Sequence, residues 1–255
     1  MTLGRILSLT LLVTLVVGSV PIGANQVAQR LESIVLDSFD DPEQRVWIES
    51  GVEKKENRVW MVYGSKFTTE GFPKMTYVNA WPTALFDSNP DNLPLKVLGI
   101  NGRFNRMGFN YIEIVPSIKD GDRFIPKPIR LPGIAKTLDL WVWGSNYDYT
   151  MEIHIRDSRG VPYVLNLGSI KFKGWRNLSV SIPSSIPQTQ EYLPSYLGLT
   201  LTKFVIRTNP GEKVDNFFVF IDNLKVLSDM QTLYFDGRDL ARPELLDRIW
   251  SGEGQ

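Results

Sequence analysis

Alternation is the feature that most constrains this chain. In Met151-Glu152-Ile153-His154-Ile155-Arg156 every second residue is apolar, the period of two that a half-buried strand requires and a helix cannot use. Similar short runs, rich in Val, Ile, Thr, Tyr, Phe and Trp, recur between Gly, Pro, Asn and Asp punctuation. They predict strands at Ser33–Leu36, Val46–Ile48, Val59–Tyr63, Met75–Trp81, Lys96–Ile100 and Tyr111–Val115. Further along, the same signal marks Thr137–Trp143, Thr150–Arg156, Tyr163–Leu167, Asn177–Ile182, Lys203–Arg207 and Phe217–Leu227. Asp157-Ser158-Arg159-Gly160 lies between two of these runs and reads as a hairpin connection. No strand–helix–strand rhythm separates them, which argues against a parallel sheet and points to an all-β, antiparallel sandwich.

The ends depart from this pattern. Arg5, the apolar run Ile6–Val17 and the Pro21-containing exit to Ala24 have the three parts of a secretory signal. The run is shorter than the ~20 residues of a membrane span, and residues 1–24 are expected to be removed, so that the mature chain begins at Asn25. No second run reaches membrane length, which predicts a mature chain without a span. Val27–Ser33 is expected to form a short entry helix. Pro243, followed by Leu245, Leu246, Ile249 and Trp250 at one-face spacing, predicts a C-terminal helix. Pro116–Pro132, rich in proline, is expected to be a loop or an edge excursion. The organisation is therefore a signal at 1–24, one sandwich at 25–236 and a helical tail at 237–255.

Composition removes most catalytic machinery. The chain has no cysteine and one histidine, His154, which excludes thiol nucleophiles and any site needing two imidazoles. His154 shares the polar face of its strand with Glu152 and Arg156, where a solvent-facing residue is expected rather than a triad base. Lys and Arg total 28, as do Asp and Glu; this balance lacks the basic excess of a nucleic-acid binder. The basic aromatic segment Lys171-Phe172-Lys173-Gly174-Trp175-Arg176 is accordingly read as a solvated hairpin. The acids Asp40, Asp41, Asp87, Asp91, Glu113, Asp120 and Asp122 have the chemistry of a carboxylate hydrolase, but most sit where Asp caps turns. Asp37, Asp40 and Asp41 near the first strand, with Asp222 in the last, are candidate ligands for a structural calcium ion. Otherwise no cofactor is expected. Among 7 Trp, Trp141, Trp143 and Trp175 are candidate interface residues, or stacking platforms for a sugar. Leu245, Leu246, Ile249 and Trp250 complete the candidate interface set.

Several segments carry a resemblance in combination: Ile129-Arg130-Leu131-Pro132-Gly133-Ile134-Ala135-Lys136, Leu140-Trp141-Val142-Trp143-Gly144-Ser145-Asn146-Tyr147, Gly174-Trp175-Arg176-Asn177-Leu178-Ser179-Val180, and Phe217-Phe218-Val219-Phe220-Ile221-Asp222-Asn223-Leu224. Together they resemble the spirochaete flagellar filament outer-layer, or sheath, protein family (FlaA-type), most densely from Gly108 to Leu227. The resemblance implies a jelly-roll-like sandwich of the kind seen in carbohydrate-binding modules. It also implies a non-enzymatic, exported protein of the periplasmic flagellum, with flagellin core subunits and other sheath proteins as partners. The alternatives from other classes are a secreted carbohydrate-binding module and, third, a carboxylate hydrolase.

Overall fold

The computed structural model describes residues 30–49, 52–86, 93–188, 198–230, 237–241 and 243–251. The signal predicted at 1–24 lies outside them. One antiparallel sheet has six strands: β1 (Leu31–Asp37), β5 (Lys74–Val78), β6 (Val97–Gly102), β10 (Ile134–Ser145), β13 (Lys173–Ser181) and β15 (Phe217–Asp229). Its order is β13-β10-β15-β6-β5, with β1 also paired to β15. The second sheet, of seven strands, has the order β12-β11-β14-β7-β4 and two side pairings, β8 on β7 and β9 on β14. These are β4 (Val59–Gly64), β7 (Tyr111–Asp120), β8 (Arg123–Pro126), β9 (Ile129–Arg130), β11 (Tyr149–Arg156), β12 (Pro162–Ser169) and β14 (Thr200–Thr208). β2 (Arg45–Glu49) and β3 (Val52–Glu56) pair as a separate hairpin. A single helical turn, α1 (Thr83–Phe86), and the tail helix α2 (Pro243–Ser251) complete the described elements, with a 3-10 turn at Arg238–Ala241. The fold is the expected all-β sandwich.

Period-two burial builds the core between the sheets. Leu138, Leu140 and Val142 of β10 and Val219, Ile221, Leu224 and Val226 of β15 meet Met151, Ile153 and Ile155 of β11 and Phe204 and Ile206 of β14 in one cluster. At one end Phe39, Trp60 and Phe204 stack in series, with centroids 5.5 and 5.6 Å apart. Burying such side chains contributes roughly 1.5–3 kcal/mol each, and without cysteine this cluster is what holds the sheets together.

β15 organises its sheet. β10 pairs along one side, from Phe220 to Asp229, while the opposite side is shared end to end by β6 (Phe217–Ile221) and β1 (Leu224–Asp229). At the junction Asn223 takes a left-handed backbone, φ 49°, and the register against β10 shifts between Asp139 and Trp141. Asn adopts this conformation more readily than most residues, and the bulge lets one long strand serve two partners.

One expectation about local structure is corrected here and another narrowed to its edge-excursion form. Of the helix expected at Val27–Ser33, residues 27–29 lie outside the described residues and Leu31–Ser33 lies in β1, paired with Leu227–Asp229; the free edge of β15 satisfies its backbone groups, and tertiary pairing overrides local helical preference. Part of Pro116–Pro132 is also regular: β7 continues to Asp120, turns at Gly121 (φ 59°) and returns as β8. Pro116 is tolerated because β14 pairs with β7 only over Tyr111–Ile114 and β8 only from Ser117. On that side no ladder bond is lost to its missing N–H.

Asp37 fastens the end of β1 to the core. Its carboxylate accepts hydrogen bonds from Trp60 Nε1 and the Phe39 N–H, both at 2.8 Å. Replacing Trp60 by Phe keeps an aromatic ring, removes the pyrrole half of the buried indole and leaves a buried carboxylate short of a donor. Trp60→Phe is expected to destabilise the protein by about 1–3 kcal/mol in denaturant unfolding, with an unchanged m-value.

Candidate interaction face

The two outer faces of the sandwich differ in chemistry. On the seven-stranded sheet charged outward side chains pair with one another, beside exposed Tyr63, Phe124, Ile125 and Val164. Lys203 bonds Glu113, and Glu152 accepts from Arg207 Nε at 2.7 Å and faces His154 Nε2 at 3.0 Å. His154 is thus half-buried in a charge ladder rather than fully solvated. Burial opposes ionisation of Glu152, yet its bonds to Arg207 and His154 hold the carboxyl below its ordinary range.

The six-stranded sheet presents aromatics. In β10 the residues alternating with Leu138, Leu140 and Val142 are Asp139, Trp141 and Trp143, on the outer side. Trp143 pairs with Trp175 of β13 on one side and Phe220 of β15 on the other. The next residue in this row is Gly99 of β6. A Cβ at Gly99 would sit 2.8 Å from Phe220 Cε1, so glycine here leaves room for the ring. Trp143 stacks on Phe218 at 5.6 Å and meets Phe220 edge-on at 5.7 Å. Such pairs contribute beyond their buried area.

The neighbouring row crosses the sheet as Lys173, Ser145, Phe218, Asn101 and Lys74. Phe218 is 37% exposed at its centre, and each end carries a lysine. Among the described residues neither Lys74 nor Lys173 forms an ion pair with a carboxylate. Lys74 lies instead 5.0 Å from the centroid of Phe72. The result is an aromatic platform between uncompensated positive charges. Trp141 lies one row further along β10, half-buried, with Nε1 enclosed and lacking a hydrogen-bond partner. The structure therefore brings Trp141, Trp143 and Trp175 onto one face and adds Phe218, Phe220, Lys74 and Lys173. The added phenylalanines are hard to recognise in sequence, because Phe217-Phe218-Val219-Phe220 is apolar on both strand faces.

Pro243–Ser251 is helical, as predicted. Leu245 and Leu246 are half-buried, whereas Ile249 and Trp250 are 48% and 82% exposed. The main neighbour of α2 among the described elements is the 3-10 turn before it.

The candidate calcium ligands lie where β1, β6 and the β15 bulge meet. Asp40 Oδ1 accepts from the Lys96 N–H at 3.0 Å, and Asp41 Oδ1 caps the N–H groups of Glu43 and Gln44 at 2.9 and 3.2 Å. Asp222 is buried, and burial with the nearby Asp40 and Asp37 carboxylates pushes its pKa up to about 8. Burial likewise raises Asp37 to about 6, against the donors Phe39 and Trp60. Among the described residues no group of three or more His, Asp or Glu side chains is arranged to hold a metal ion.

Comparison with known proteins identifies the chain. The family model described as flagellar filament outer layer protein, FlaA, matches residues 38–236. The chain belongs to this FlaA family. It is 25% identical over 134 residues to a putative flagellar filament outer layer-like protein of Brachyspira hyodysenteriae, covering 52% of this chain and 58% of that protein. It is also 25% identical over 158 residues to a flagellar filament outer layer protein of Borreliella burgdorferi, covering 55% of this chain and 46% of that one. The chain thus spans about half the length of the curated relatives it matches. Solved structures of similar fold include the family 11 carbohydrate-binding module of a Clostridium thermocellum cellulosomal cellulase, at 12% identity and TM-score 0.42 over 79% of this chain and 96% of that one. Another carbohydrate-binding module of the β-sandwich superfamily has 8% identity and TM-score 0.40, over 79% and 75%. The FlaA match begins just after β1 and runs through β15, and α2 lies outside it.

The raised pKa of Asp222 has a pH consequence. Between about pH 4, where an unfolded Asp ionises, and about 8, the folded chain holds a proton that the unfolded chain has released. This group therefore lowers stability progressively as pH rises through that window. Asp222→Asn is expected to raise stability by on the order of 1–3 kcal/mol at pH 8, a gain that fades towards pH 4. Thermal unfolding of both proteins across this range checks the sign.

Proposed function

We propose that this protein is a structural, non-catalytic component of the outer layer of a periplasmic flagellar filament. In this reading it is exported through residues 1–24, coats the flagellin core beside other outer-layer proteins, and tunes filament stiffness and curvature. The observation that carries the proposal is the FlaA match over residues 38–236. The aromatic platform of Trp143, Phe218, Phe220 and Trp175, of which Phe218 is the exposed member, supports it, since aromatic residues are preferred anchors of protein contacts. The absence of cysteine leaves the sandwich dependent on packing alone, which suits a repeated building block that needs no redox assembly step.

A coat acts at large radius, where each unit of mass contributes more to bending stiffness than in the core. Uneven coverage would bias curvature, because one side gains lateral contacts that the other lacks. Cells lacking this protein are therefore expected to retain flagellin filaments that are thinner or straighter, with impaired translational motility. Electron microscopy of purified filaments measures both diameter and curvature. Unchanged filaments, with the protein recovered instead by elution from a polysaccharide column, would favour the secreted carbohydrate-binding module.

A further inference from the structure

The sequence places glycine directly after Asn or Asp at three positions: Asn101-Gly102, Asp120-Gly121 and Asp236-Gly237. At such pairs a chain can rearrange in water without any other reagent. The glycine nitrogen, with no Cβ beside it to hinder approach, attacks the side-chain Cγ of the preceding residue and closes a cyclic imide. From Asn the leaving group is ammonia. From a protonated Asp the carboxyl hydroxyl leaves with the amide proton as water. Water then reopens the ring, and opening at the backbone carbonyl leaves isoaspartate, whose main chain runs through the side-chain carbon. For Asp the water released is balanced by the water consumed, so the product is an isomer of the starting chain.

At neutral pH an uncharged amide is attacked more readily than an ionised carboxylate, so an unfolded chain reacts first at Asn101-Gly102. The fold opposes that order. Asn101 lies inside β6, paired with Lys74 of β5 on one side and Phe218 of β15 on the other. Gly102 is buried, and a Cβ on it would lie 2.5 Å from Ile112 Cδ1. Ring closure there requires the chain to leave two strand pairings at once. Asp120-Gly121 stands in the opposite situation. β14 pairs with β7 only to Ile114 and β4 only to Ser117, so beyond Ser117 the strand has β8 alone. Residues 119–128 are all exposed, Phe124 by 40% and Ile125 by 43%. A two-stranded ribbon is marginal by itself in water, and this one buries little to hold it. Its tip therefore opens without unfolding of the sandwich. Gly121 and Asp122 form the two-residue loop, closed by the Asp120–Arg123 pair. Apart from its chain neighbours nothing lies within 4 Å of a Cβ built on Gly121. Among the described residues the Asp120 carboxyl has no hydrogen bond or ion pair to hold it back from ring closure. Asp236 lies outside the described residues.

We infer that Asp120-Gly121, at the tip of the β7–β8 hairpin, is a site where the folded chain converts to isoaspartate, and that the sheet protects Asn101-Gly102. The extra backbone atom at residue 120 breaks the register of the Asp120–Arg123 pair. Ageing of the protein thus opens this projecting arm first and leaves the core between the sheets intact. The inference goes beyond the outer-layer reading and does not rest on it.

The test incubates the purified protein at neutral pH, folded and, in parallel, unfolded in guanidinium chloride. Peptides spanning each pair are then separated and sequenced by mass spectrometry. Deamidation at Asn101 raises the peptide mass, whereas isomerisation at Asp120 shifts retention without a mass change and creates a carboxylate that an isoaspartyl methyltransferase labels. In the folded protein, product at Asp120 should exceed product at Asn101 by about tenfold or more, because opening an interior strand approaches global unfolding. In the unfolded chain Asn101 should lead. Asp120→Asn makes the two pairs chemically identical, so that only the fold distinguishes them. Folded, this variant should deamidate at position 120 about tenfold or more faster than at Asn101; unfolded, the two rates should converge. No isoaspartate at residue 120 of the folded protein would overturn the inference. So would equal rates at the two positions in the folded variant, with its circular dichroism spectrum unchanged.

Discussion

The pairing of β15 is the constraint on which the rest depends. One strand of thirteen residues carries β10 along one side and divides the other between β6 and β1. Its inward residues Val219, Ile221, Leu224 and Val226 help weld the two sheets, while Phe218 and Phe220 face out. The bulge at Asn223 is what allows the change of partner, and it fixes where Asp222 is buried and where the ends of β1 and β6 meet. A strand with one unbroken register could not give an inward apolar row, an outward aromatic row and an acidic junction together.

The difference between the outer faces follows from the same alternation. On the seven-stranded sheet the outward positions hold Glu113, Lys203, Glu152, His154 and Arg207, which neutralise one another. Exposed pairs of this kind add little stability, and beside them the same sheet exposes Tyr63 of β4, Phe124 and Ile125 of β8 and Val164 of β12. On the six-stranded sheet the outward positions hold the rings of Trp141, Trp143, Phe218 and Phe220 beside an Asp139–Lys225 ion pair at 3.5 Å.

Most strands were legible in the sequence because their alternation is strict, as in Met151–Arg156, or because turn residues frame them, as Asp157–Gly160 frames the β11–β12 hairpin. The tail helix was legible from the spacing of Leu245, Leu246, Ile249 and Trp250. The charged strand β3 escaped, since Val-Glu-Lys-Lys-Glu carries no apolar alternation and exists by pairing with β2. Leu31–Ser33 was misread because its partner, the far half of β15, lies almost two hundred residues away. For the candidate face, the three tryptophans could be nominated by type, whereas Phe218 and Phe220 could not be assigned to the outside until the register of β15 was known. Nor does any local pattern foretell that Asp37 would accept from Trp60 Nε1, because a buried polar pair between distant strands leaves no periodic trace.

The central claim is that this sandwich forms part of a filament's outer layer. A subtomogram-averaged map of the native filament tests it most directly. The account predicts density for the two-sheet sandwich at the outermost radius, outside the flagellin core, and that density absent from filaments of cells lacking the protein. An outer radius fully explained by other proteins, identical in the two strains, would contradict it.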